Sequence, residues 1–254
     1  RGLYFDNTDG SSISLDSSSF RGAQQGLYFK SIEDASIQMN EIDAHDNQNQ
    51  GIYLSSVDYS DFIFSGVRVT NNNSQGLYMS GSYNSADVGH SIFSDNNSTG
   101  FEWNSSTNNS EGDSVVVFNS GFMRNNGNGL YSNNQMSVSQ TTSTENTGYG
   151  IYMSGSFYGM SQRLTSSILW GNGANQSWNQ LYIENNLVNI AFTNLMDGES
   201  GITGNYYNLD NSCINDLPYF TDDAGHMEAI SPGVDGGKPW EIDAHMPMGL
   251  GGAR

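Results

Sequence analysis

One tetrapeptide pattern returns along this chain at a nearly constant interval, and that interval limits the fold more than any local propensity does. Gly2-Leu3-Tyr4-Phe5 is followed by Gly26-Leu27-Tyr28-Phe29, Gly51-Ile52-Tyr53-Leu54 and Gly76-Leu77-Tyr78-Met79. Gly100-Phe101-Glu102-Trp103, Gly129-Leu130-Tyr131-Ser132 and Gly150-Ile151-Tyr152-Met153 complete the series. Successive glycines are 24, 25, 25, 24, 29 and 21 residues apart. A period of this size marks a solenoid, in which each repeat buries its apolar face only against its neighbours.

Counted from each glycine, positions +1 and +3 are apolar in most copies and +2 is Tyr4, Tyr28, Tyr53, Tyr78, Glu102, Tyr131 and Tyr152. Such alternation predicts a strand with one face inward and one outward. Positions −14 and −12 read Ile37/Met39, Phe62/Phe64, Ala86/Val88, Val115/Val117 and Met136/Val138, with Ile13/Leu15 slipped by one residue in the first copy. These predict a second strand. Ile42/Ala44 and Val67/Val69 at −9 and −7, then Phe93 and Phe122 at −7, predict a third and shorter one.

The corner before the glycine carries Asn47, Asn72, Asn96, Asn125 and Asn146, all at position −4. Asn tolerates left-handed backbone and suits a tight corner. Stacked at one register, its amide bonds the Asn above and below, forming a side-chain ladder. Three short strands per rung of about 24–25 residues, with an Asn ladder, predict an all-β, right-handed parallel β-helix.

Such a repeat resembles the pectate-lyase-like superfamily of β-helix proteins over nearly the whole chain. That family implies the fold and leaves the activity open, because it holds lyases, hydrolases, adhesins and structural spikes. Regular rungs are expected over 1–160. Less regular rungs, ending the solenoid within the same domain, are expected over 161–254. There Ile168-Leu169-Trp170-Gly171-Asn172, Leu217-Pro218-Tyr219-Phe220 and Ser231-Pro232-Gly233-Val234-Asp235-Gly236 follow one another. This order resembles the C-terminal region of bacterial secreted and cell-surface β-helix proteins. The resemblance implies a secreted or surface-anchored protein, and the abrupt opening in a repeat at Gly2 fits a fragment of a longer chain.

Charge narrows the partners. Eight Lys plus Arg against 27 Asp plus Glu leave a net charge of −19. Nucleic acid and anionic membrane surfaces both reward clustered cations, so neither is an expected partner. No stretch has the length of a membrane-spanning helix. The one cysteine, Cys213, rules out an internal disulfide framework.

Two columns and one lysine carry whatever chemistry the sequence offers. Asp9, Glu33 and Asp58 share position +7. At one rung spacing of about 4.8 Å, neighbouring carboxylates match a retaining glycosidase pair, and three stacked acids suit calcium. Equally, +7 lies in the connection after a strand, where acids are simply solvated. A β-elimination would need a base near a cation, and Lys30 beside Glu33 or Asp58 is the only Lys–acid neighbourhood. Tyr4, Tyr28, Tyr53 and Tyr78 form an outward aromatic column, sufficiently explained by stacking and also a platform for sugar rings or a neighbouring chain. The histidines His45, His90, His226 and His245 share no register, and no Ser-His-Asp arrangement is legible. The expectation is therefore a non-catalytic structural or adhesive segment of a large secreted bacterial surface protein. Its partners would be other chains of the same assembly or surface glycans. A β-helix polysaccharide lyase or hydrolase, or a carbohydrate-binding module, is the alternative.

Overall fold

The computed structural model describes residues 2–105, 113–155, 162–174, 179–185, 187–221 and 231. Their strands form three parallel sheets of nine, nine and eight strands. Sheet A runs from Leu3–Asp6 to Ile202–Thr203, sheet B from Ser12–Asp16 to Tyr207–Leu209, and sheet C from Ser19–Arg21 to Asn194–Leu195. Each strand pairs with the strand one repeat later, so Leu27 faces Ile52, Ile37 faces Phe62 and Ala44 faces Val69. A parallel β-helix results, with three strands per rung.

Alternation decides the interior. Leu27 and Phe29 from sheet A, Ile37 and Met39 from sheet B, and Ala44 from sheet C are fully buried, as are their counterparts in later rungs. Like stacks on like: the Phe5 and Phe29 rings lie 4.7 Å apart, and Phe93 and Phe122 lie 5.2 Å apart. The slip of the first copy vanishes in space, because Ile13 faces Ile37 and Leu15 faces Met39. Its missing residue falls in the corner after Ala23, which takes the ladder place and donates its backbone N–H to Asn47 Oδ1 at 3.1 Å.

At the corner from sheet B to sheet C, position −9 turns from apolar to hydroxyl-bearing. Ser91 Oγ accepts the Val67 N–H and donates to the Gly89 carbonyl. Ser120 and Ser167 repeat the arrangement for Ser91 and Thr141. The hydroxyl satisfies a backbone group that burial would otherwise orphan.

The Asn ladder is longer than five. Each Oδ1 accepts both the backbone N–H and the Nδ2–H of the Asn one rung earlier, as Asn72 does for Asn47 at 3.1 and 2.9 Å. Each Nδ2 also donates back to a sheet C carbonyl, as Asn72 does to Ala44 at 3.0 Å. The series continues through Asn146 to Asn172 and ends on Gln180, whose Oε1 accepts from the Asn172 amide at 3.0 Å. The left-handed residue of this corner is not the Asn. It is the residue before: Asp46, Asn71, Asp95, Arg124 and Glu145 all have φ between 52 and 58°. The Asn conformation expected from sequence is corrected accordingly, since its side chain is needed inside while its neighbour makes the bend.

The repeat glycine and the ladder form one device. A Cβ on Gly76 would sit 2.8 Å from Asn96 Nδ2, and one on Gly100 would sit 2.8 Å from Asn125 Nδ2. Gly26, Gly51, Gly129 and Gly150 face the following amide in the same way. Where the ladder ends, glycine is no longer required, and Gln180 stands in the glycine place with its own side chain filling the Asn position.

Candidate functional site

Sheet A presents the tyrosine column outward. Tyr4 and Tyr28 have ring centroids 5.0 Å apart, Tyr28 and Tyr53 5.0 Å, and Tyr53 and Tyr78 5.3 Å, each pair tilted by 30–47°. Tyr28 and Tyr53 thus meet a ring on the rung above and another on the rung below. Sugar stacking needs a ring face, so the stacked interior of this column is a poor platform. Glu102 interrupts it, its two carboxylate oxygens held by Gln75 Nε2 at 3.0 Å and Asn104 Nδ2 at 2.7 Å. Beyond it Tyr131, Tyr152 and Tyr182 resume the stack, with the last two 4.2 Å apart. Burial and the neighbouring Tyr182, Glu184 and Tyr131 push the Tyr152 phenol well above its usual value.

Asp9, Glu33 and Asp58 do fall in one register, Glu33 facing Asp58 directly. Two of them spend a carboxylate oxygen on the backbone: Asp9 accepts the Glu33 N–H at 3.2 Å and Asp58 the Ser82 N–H at 2.7 Å. Among the described residues no group of three or more His, Cys, Asp or Glu could hold a metal ion. Lys30 faces Asp6 and Ser55, while Ser31, at φ 52°, bends the strand between Lys30 and Glu33. The structure thus seats Lys30 one residue short of that bend, beside a different carboxylate from the column considered for it.

On sheet C the structure assembles what sequence reading did not. Ser19 Oγ lies 3.4 Å from His45 Nε2, and His45 Nδ1 lies 2.7 Å from Asp46 Oδ2. Asp43 Oδ2 is 3.8 Å from the same imidazole. The 26-residue separation of Ser19 and His45 hides the contact until adjacent rungs are stacked. The order of groups is that of a Ser-His-Asp relay. Ser19 stands on the exposed outward face of a flat sheet, however, where water screens the charges that catalysis would have to stabilise. Further along, the Arg124 guanidinium clasps Asp95 at 2.7 and 2.8 Å. Burial raises the Asp95 carboxyl, but hydrogen bonds from Arg124 and Ser94 and the Arg124 and Arg68 charges outweigh it and hold it below its usual value.

Cys213 is half-buried, its Sγ 3.6 Å from the Ile190 carbonyl, and burial raises its thiol pKa. A thiol held protonated is a weak nucleophile. His226, His245 and the segment from Pro232 to Gly236 lie outside the described residues. No helix among the described residues is long and apolar enough to cross a membrane.

No curated protein matches the chain. Four chains of solved structures do. One is described as the crystal structure of pectate lyase Pel9A; it is 15% identical, covers 90% of this chain and 68% of its own, and has a TM-score of 0.47. The family model of the right-handed β-helix region matches residues 25–189, well over half of the 254 residues. The chain therefore belongs to the right-handed β-helix family.

Proposed function

We propose that this chain is a non-catalytic structural segment of a large secreted bacterial surface protein, a stalk or filament component that holds something else away from its base. The observation that carries this reading is the unbroken amide ladder from Asn47 to Gln180, which couples each rung to the next through buried, fully bonded side chains. Groups that resist bending and sliding between rungs are what a spacer needs. The eight strand-to-strand steps of sheet A advance about 38 Å at the usual strand spacing.

The columns that enzyme chemistry would draw on support the same reading. Asp9 and Asp58 each give a carboxylate oxygen to a backbone N–H, and Ser19 is exposed on the outward face of sheet C. A polysaccharide lyase or glycoside hydrolase needs a base, a stabilised charge and shielding from water in one place.

A length change separates the two readings. Removing residues 51–99, two whole rungs, leaves a folded rod about 10 Å shorter by small-angle scattering if the chain is a modular spacer. The full chain is also to be assayed on acidic and neutral polysaccharides, with and without calcium. Turnover that disappears in Glu33→Ala overturns the structural reading.

A further inference from the structure

The corner from sheet A to sheet B carries an exposed aromatic pair that the packing of the rod does not explain. Asp34, Tyr59 and Tyr83 occupy one register in successive rungs, since the Asp34 N–H bonds the Asp58 carbonyl and the Tyr59 N–H bonds the Ser82 carbonyl. All three have left-handed backbone, at φ 54, 53 and 59°. Asn, Asp and Gly adopt that conformation readily; a bulky ring does so at a cost. Burial does not recover it, because Tyr59 is 53% and Tyr83 40% exposed.

The rings are stacked nearly parallel, 4.7 Å apart with 3° between their planes. Tyr83 therefore covers one face of Tyr59, and the other face is turned toward the rung of Asp34. Asp34 is short and exposed, so among the described residues no second ring covers that face, and a carboxylate stands in the neighbouring rung. This is the reverse of the sheet A column, where rings cover rings. Glu33 and Asp61 are also exposed on this stretch, which makes the rim acidic. Left-handed backbone is what the bend itself requires, but an aromatic pair left in water there is not, and that apolar area points to a ligand.

We propose that the Asp34–Tyr59–Tyr83 corner is a saccharide-binding site, with the open face of Tyr59 stacking on one sugar ring of a neutral glycan. The apolar C–H face of a pyranose fits the ring, and the Asp34 carboxylate accepts its hydroxyls. The acidic rim repels sulfated or uronic chains, so the ligand is uncharged.

The test uses the 254-residue chain and neutral hexasaccharides of β-glucan, xylan, mannan and galactan, titrated by calorimetry. At least one is expected to bind. Tyr59→Asn is expected to weaken binding about tenfold or more while raising Tm, because Asn suits left-handed backbone. A merely structural tyrosine would lower Tm on replacement and leave binding alone. Asp34→Asn keeps both the backbone and the ring, and is expected to weaken binding several-fold. Tyr53→Ser, in the sheet A column, should leave binding unchanged. Absence of binding to all four hexasaccharides at millimolar concentration overturns the proposal, as does binding that survives Tyr59→Asn or is lost in Tyr53→Ser. None of these outcomes depends on the spacer reading, which rests on length and turnover.

Discussion

The corner entering sheet A and the corner leaving it do the same job under different constraints. Entering, the ladder Asn is the same residue in rung after rung, fully buried beneath a glycine. Leaving, the equivalent place is Ala35, Ser60, Asn84, Asp113 and Asn134. Ser60 Oγ accepts the Ala35 N–H at 3.0 Å, Asn84 Oδ1 the Ser60 N–H at 2.9 Å, and Asp113 Oδ1 the Asn84 N–H at 2.6 Å. Any short acceptor serves there. At Asn134 both amide atoms are buried without a partner, as are those of Gln162. A corner in which side chain, glycine and two backbone groups interlock admits one solution. A corner that asks only for an acceptor drifts, and the drifting corner is the one that carries Tyr59 and Tyr83.

Substitutions that break the interlocked corner test this contrast first. Asn96→Ala strips the Asn72 N–H and Nδ2 of their acceptor and the Val69 carbonyl of a donor. It is expected to cost about 3–5 kcal/mol, read by calorimetry as a fall in Tm of roughly 10 °C. Next is Gly100→Ala, whose methyl would meet the Gly129 carbonyl oxygen at 2.6 Å and Asn125 Nδ2 at 2.8 Å. Backbone on one side leaves little room to yield, and about 2–3 kcal/mol is expected. Asn84→Ala, at the permissive corner, removes one acceptor for Ser60 and one donor to the Val57 carbonyl. An expected cost of about 1–2 kcal/mol, clearly below that of Asn96→Ala, sharpens the comparison; equal losses would break it.

The smallest effect is electrostatic. Asp95 is held below its usual 3.8 by Arg124 and its other hydrogen-bond donors despite partial burial. A carboxyl whose folded pKa is depressed stabilises the fold above the unfolded value, and that contribution disappears as pH falls through the folded one. Stability at neutral pH is thus expected to drop below about pH 4, and Arg124→Ala should reduce that drop. The pair is a third exposed, so at pH 7 its loss is worth about 0.5 kcal/mol.

Much of the rod was legible in the residues. The 24–25-residue spacing, the alternation around Tyr28 and the Asn at −4 all report local or periodic facts, and the sheets and ladder follow from stacking them. The last step of the ladder is hidden in the sequence because Asn172 lies eight residues before Gln180 rather than four, so counting back from the glycine place misses it. Ile168-Leu169-Trp170-Gly171-Asn172, matching the sheet C strand and corner of earlier rungs, was the signal that could have found it. The Ser19–His45 contact and the parallel Tyr59–Tyr83 stack gave no such recurring signal. Both depend on side-chain directions in different rungs; Tyr59 and Tyr83 stand one repeat apart, but the pair occurs once and so forms no series.

By itself, then, the sequence determined the repeat, the number of strands in each rung and which faces turn inward, because alternation and period are properties of the chain. Only the tertiary structure decided why the repeat begins with glycine. The atom that a Cβ would displace belongs to an Asn 17–25 residues further on, and no local pattern around Gly26-Leu27-Tyr28-Phe29 contains it. The same holds for the tyrosines: alternation turned Tyr28 outward, but stacking between rungs decided that its faces are covered while one face of Tyr59 is left open.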